Sequence, residues 1–242
     1  MNLHKVKTMN FKAAKRVLSI CGVLTTLTMT APAMASNIGL VGFYQVDNDK
    51  SYSKTLTELD KSAVGQGCAV RREGPIAGVQ GNLDSEKANR FFVMECQSSV
   101  LQTNASQHIF NGLSSVVKNL SIVEGDLNKF GQSSLIDKGE NRSYLIKLSY
   151  YNNKNVNKRN KDLAMMGMNG SSRANHYKTE AFIDVTKAQG MTRPDEAVVI
   201  YYDSPKEGTS FRINNEDFIE EIGKFNVEHL NGFAYYFGAS RL

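Results

Sequence analysis

The 29 Lys and Arg of this 242-residue chain outnumber its 24 Asp and Glu, but five of the basic residues and no acid fall in the first 35 positions. The remainder is formally neutral, which excludes the electrostatic footprint of a nucleic-acid binder. It is also long enough for one large or two small domains.

Lys5, Lys7, Lys12, Lys15 and Arg16 are followed by the apolar run from Val17 to Thr30, and then by Ala33-Met34-Ala35 before Ser36. This is the charged, apolar and small-residue order of a secretory leader, with cleavage expected after Ala35. The run falls short of the roughly 20 residues of a membrane span, so no stable span is expected after cleavage. Ile20 before Cys21 is bulkier than a lipidation site wants. The expected location is the periplasm or the medium.

The segment "IGLVGFYQV" from Ile38 is β-branched and aromatic and reads as a strand. Tyr52, Leu56, Leu59 and Ala63 then recur at helical spacing, until Gly65 and Gly67 stop the helix. An extended segment from Cys68 to Val79, a turn at residues 81–84 and the strand "RFFVMECQ" follow. Residues 104–118 carry Ile109, Phe110, Leu113, Val116 and Val117 on one side of a second helix, and "LSIVEGDL" is a fourth strand.

After a polar connection the same order returns. "SYLIKLSYY" is a strand, the Asn-rich stretch to Met168 a helix, and "YKTEAFIDVT" and "EAVVIYYD" are strands. A helix over 215–225 and the strand "GFAYYFGA" complete it. The period of about 105 residues is an internal duplication, too long for a solenoid. The fold class is therefore α+β: two tandem β-α-β-β-α-β units, at 36–128 and 143–242, joined by a linker at 129–142. In the first unit, a turn centred near residue 82 sets Cys68 opposite Cys96 across adjacent strands, and an exported protein preserves such a disulfide.

The opening strand running into "VDNDKSYSKTLTEL", the strand "FFVMECQS" with the helix after it, and the closing "IVEGD" resemble the ferredoxin-like, dimeric α/β-barrel superfamily. The likeness extends to its small proteins of unknown function related to the antibiotic-biosynthesis monooxygenases. It implies that the two units form an intramolecular, pseudo-dimeric α/β barrel, with two facing sheets, helices outside and a ligand cavity between the sheets. Haem-degrading members use a set including Trp, Asn and His, and this chain has no Trp.

The expected cavity lining is Tyr44, Glu95, Lys147, Tyr201 and Tyr235, with Asp203 as a further polar companion, because strand alternation turns part of the tyrosine set inward. The alternative is that these tyrosines only pack the sheets. His176 and Glu95 are the candidate acid-base groups. His108, His176 and His229 show no metal-ligand spacing, so no metal and no cofactor are expected. Met165, Met166 and Met168 read as core filler rather than a soft-metal site. Arg71-Arg72 reads as an edge device against strand pairing or as an anion site. Lys154, Lys158, Arg159 and Lys161 read as a solvated helix face. Three functions stay open: an exported binder of a small, largely apolar or aromatic molecule, a cofactor-independent monooxygenase-like or isomerase-like enzyme, and a module that binds an envelope protein.

Overall fold

The computed structural model describes residues 37–83, 87–97, 104–130, 142–173 and 177–239. The leader with its cleavage site, and His176, lie outside them. The first unit runs β1 (Ile38–Gln45), α1 (Asp49–Val64), β2 (Cys68–Gly81), β3 (Arg90–Cys96), α2 (Ala105–Leu113) and β4 (Lys118–Phe130). The second runs β5 (Ser143–Tyr151), α3 (Val156–Ser171), β6 (Lys178–Gln189), β7 (Glu196–Tyr202), α4 (Pro205–Asn214), α5 (Glu216–His229) and β8 (Leu230–Ala239).

Local chemistry sets the helix starts. The Asn48 side chain accepts the Ser51 N–H at the head of α1, and Asn155 accepts that of Lys158 at the head of α3. At α4 the Ser204 hydroxyl accepts the Glu207 N–H and Pro205 fills the first turn, a start that the expected single helix over 215–225 left out.

Each unit has the antiparallel strand order fourth, first, third, second, as expected of ferredoxin-like units. Against the third strand of its unit, the second strand bulges between Val70 and Arg72 in β2 and between Thr179 and Ala181 in β6. The disulfide joins Cys68 to Cys96, which stand directly opposite each other in the β2–β3 ladder.

As the resemblance implies, the two units close into one barrel, in the order β1-β3-β2-β8-β5-β7-β6-β4. β2 and β4, at 14 and 13 residues, outrun their partners within the unit and pair with β8 and β6. Both seams depend on glycine. A Cβ on Gly81 would lie 2.2 Å from the Phe233 carbonyl oxygen, and one on Gly125 would lie 1.9 Å from that of Asp184.

An eight-stranded barrel has an interior just wide enough to be filled by side chains, and among the described residues large side chains pack it. Val41, Phe43, Phe91, Val93, Val123, Tyr144, Ile146, Leu148, Ile183, Val199, Tyr201 and Tyr236 form one buried cluster. Phe43 stacks on Tyr236 with ring centres 3.8 Å apart, locking unit to unit. Arg72 is buried in the same space, where its Nε donates to the Tyr144 hydroxyl at 2.7 Å and its Nη2 lies 2.5 Å from a Glu180 carboxylate oxygen. Arg72 therefore ties β2 to β6 inside the barrel. It is not an edge device, since closure leaves no edge to protect.

Candidate functional site: a cleft between sheet and helices

The outer faces of the two half-sheets differ. In the first unit Leu40, Phe92, Met94 and Ile122 meet Leu59, Ala63, Ile109 and Leu113 of α1 and α2 in a sealed core. In the second unit the outward residues Leu145, Phe233, Tyr235 and Phe237 floor a cleft of about 430 Å³ beneath α4 and α5. Two sets of anchors bracket this space. Phe211 and Phe218 pack with Tyr202 at one end, where Gly208 lets α4 approach the Tyr202 ring. Phe225 packs on the His229 ring at the other. Between them Gly223 faces the cleft, and a Cβ placed there meets no atom within 4 Å.

The remaining wall is Ile219, Ile222, Thr209, Arg212 and Asn226, with Gln80 reaching in across the β2–β8 seam. Asn226 is 5% exposed. Its Nδ2 donates to the Tyr235 hydroxyl at 2.8 Å, while its Oδ1 is buried without a hydrogen-bond partner. Buried polar atoms are rarely left unpaired in folded proteins. The Arg212 guanidinium stands 6.0 Å from the centre of the Phe237 ring. Burial pushes the Tyr202 phenol up to about 12 against the opposing charge of Arg212, and burial also raises Tyr235 against its bond from Asn226.

Lys147 is the cross-strand neighbour of Tyr235, on the same outer face as Leu145. Its Nζ lies 5.7 Å from the centre of the Phe225 ring and 5.8 Å from that of Tyr235. Burial lowers its pKa, and the Glu196 carboxylate, which accepts from the Ser149 hydroxyl at 2.9 Å, only partly opposes this.

The five expected lining residues do not converge on one cavity. Glu95 and Tyr201 turn inward. Glu95 is held by Arg71 and Asn37, and Tyr201 lies under the Arg142 guanidinium, 4.4 Å from its ring centre. Tyr44, Lys147 and Tyr235 turn outward. Tyr44 is sealed beneath the first unit's helices, where it donates to Glu73 at 2.8 Å beside Tyr52, which donates to the same carboxylate at 2.6 Å. Tyr235 alone of the five lines the cleft, and Lys147 stands directly beside it. Asp203 pairs with Lys178 at the surface.

Met165 and Met168 are exposed on α3 and are not core. His108 is exposed. His229 is buried, with Nε2 2.8 Å from an Asp162 oxygen. Together with Glu228 these residues bring three possible metal donors within 4.8 Å, but Lys158 already pairs with both carboxylates and offsets one of their two charges. The haem-degrading set of the resemblance does not fit the cleft, whose lining contains neither Trp nor His.

Sequence reasoning missed Arg212, Gly223 and Asn226. The Ser204-Pro205-x-Glu207 start was a legible signal for α4 and hence for Arg212. Asn226 carried no signal, because its partner Tyr235 lies on another element.

No family model and no curated protein sequence matches the chain. Among solved structures it is similar to an anthrone oxidase-like protein, with 9% identity and a TM-score of 0.55 over 85% of this chain and 91% of that one. It is similar to chlorite dismutase from Candidatus Nitrospira defluvii in complex with imidazole, with 11% identity and a TM-score of 0.56 over 85% and 91%. A Fusobacterium nucleatum subsp. nucleatum protein named as a monooxygenase gives 12% identity and a TM-score of 0.52 over 86% and 93%. At these identities the likeness establishes the fold, that of the ferredoxin-like dimeric α/β barrels, and nothing of the chemistry.

Proposed function

We propose that this chain is an exported protein that binds a small, largely apolar or aromatic anion in the cleft between the second half-sheet and α4–α5. The observation that carries this reading is Asn226, whose carbonyl oxygen is buried on the cleft wall without a partner. A ligand N–H or O–H is the group that satisfies it. Leu145, Phe233, Phe237 and Ile222 supply apolar walls, and Arg212 supplies a cation for a carboxylate. Export is supported by the leader pattern of residues 1–35 and by the Cys68–Cys96 bond. Among the described residues no helix is long and apolar enough to cross a membrane.

The enzyme reading has one observation in its favour, the half-buried amine of Lys147 beside Tyr235, whose pKa desolvation lowers. The test common to both is calorimetric titration with aromatic carboxylates such as benzoate and naphthoates. Gly223→Phe, whose Cβ meets no atom within 4 Å and whose ring enters the cleft, is expected to cut affinity at least about tenfold while the unfolding midpoint holds. Absence of binding by any of them, or binding indifferent to both Gly223→Phe and Arg212→Ala, would refute the cleft as the site.

A further inference from the structure

The proposed binding reading leaves Lys147 unexplained. Its ammonium is 5.7 and 5.8 Å from the centres of two aromatic rings, and among the described residues it makes no hydrogen bond or ion pair. A lysine placed only for solubility extends to water, and one placed for stability meets a carboxylate. Lys147 is half-buried beside the two rings and meets no carboxylate, and Glu196, the neighbouring acid, is engaged by Ser149. By the same register, Gly42 occupies the corresponding point of β1, under the Phe92 ring in the sealed half, so the amine belongs only to the half with the cleft.

We infer that Lys147 is a nucleophile for the cleft's ligand, and that the ligand class is an aromatic or conjugated carboxylate carrying an aldehyde or ketone. The inference rests on the cleft reading above. Arg212 stands over Phe237 and Lys147 over Tyr235. Those rings are two residues apart on one strand, roughly 7 Å. A ligand one aromatic ring long, laid along these two rings, points its carboxylate toward Arg212 and its carbonyl toward Lys147, which borders the cleft beside Tyr235. The unprotonated Nζ attacks the carbonyl carbon and forms the C–N bond. The carbonyl oxygen then leaves as water, taking both amine hydrogens, and a neutral imine remains with no change in oxidation state. Desolvation of the amine between the rings favours its unprotonated, reactive form.

The experiment incubates the purified protein, disulfide intact, with 4-formylbenzoate and sodium cyanoborohydride at neutral pH, followed by peptide mass mapping. The cyanoborohydride hydride reduces the imine to a stable secondary amine. One adduct per chain is expected at Lys147, with Lys224, exposed on the same helix pair, at background. Gly223→Phe is expected to reduce the Lys147 adduct at least about tenfold. Adducts spread over exposed lysines with Lys147 unmodified overturn the inference, as does labelling of Lys147 that persists in Gly223→Phe. Benzoate, which has no carbonyl to trap, is titrated in parallel. Benzoate binding without a Lys147 adduct overturns the covalent step and keeps the binding reading, whereas failure of both overturns the site itself.

Discussion

Replacing Asn226 with Leu separates a binding residue from a core residue by the sign of its effect. In the empty protein the unpartnered Oδ1 costs about 1–3 kcal/mol, and the Nδ2 bond to Tyr235 returns about 0.5–1.5. Asn226→Leu removes both, and leucine is the better helix former by a few tenths of a kcal/mol. The Tyr235 oxygen, on the cleft wall, can turn to water. The expected result is a protein more stable by about 1 kcal/mol, an increase in Tm of roughly 2–4 °C for a chain of this size. Affinity for an aromatic carboxylate falls at least about tenfold, because the ligand's donor loses its acceptor. Urea denaturation and calorimetric titration read the two effects independently. A loss of 1 kcal/mol or more with affinity unchanged would show that the amide serves the core, and the reasoning from its unpaired oxygen would be wrong.

Three further outcomes follow from the fold. Reducing the Cys68–Cys96 bond, whose ends are 28 residues apart, is expected to cost about 3.6 kcal/mol, and coincident denaturation curves for the oxidised and reduced forms would contradict this. Glu180→Gln leaves the Arg72 guanidinium buried without its counter-charge and is expected to cost about 3–5 kcal/mol in urea, most of it recovered by Arg72→Met with Glu180→Leu; a single variant as stable as the parent counts against the pair. Tyr202, raised by burial to about 12 in the fold from an unfolded value near 10, contributes stability that is complete below pH 10 and lost as pH rises to 12, roughly 2–3 kcal/mol in all. Ultraviolet titration of the phenols should accordingly show alkaline unfolding, and a folded protein whose ten tyrosines all ionise near their ordinary value would exclude it.

The amino-acid sequence by itself determined what local chemistry decides. The strands, the break at Gly65 and Gly67, the duplication, and the Cys68–Cys96 register all follow from patterns that span no more than one hairpin or one repeat. It also showed that the strands are apolar on both faces, as a barrel with helices outside requires. Alternation cannot say which face is which, because a shift of one residue exchanges them. Tyr44, Lys147 and Tyr235 were therefore assigned to the interior although they point outward, and Arg72 was assigned to an edge although it lies within. The barrel itself was implied by the resemblance, but tertiary structure alone decided which strands make its seams. The seams β2–β8 and β4–β6 join segments far apart in the chain, and once they close, the side chains of the described residues pack the interior. The same packing moved the candidate site outside the barrel, where Phe211, Phe218 and Phe225 brace α4 and α5 over the sheet. Arg212, Asn226, Tyr235 and Lys147 meet around that space from four separate elements or positions, a convergence set by packing and not by spacing along the chain.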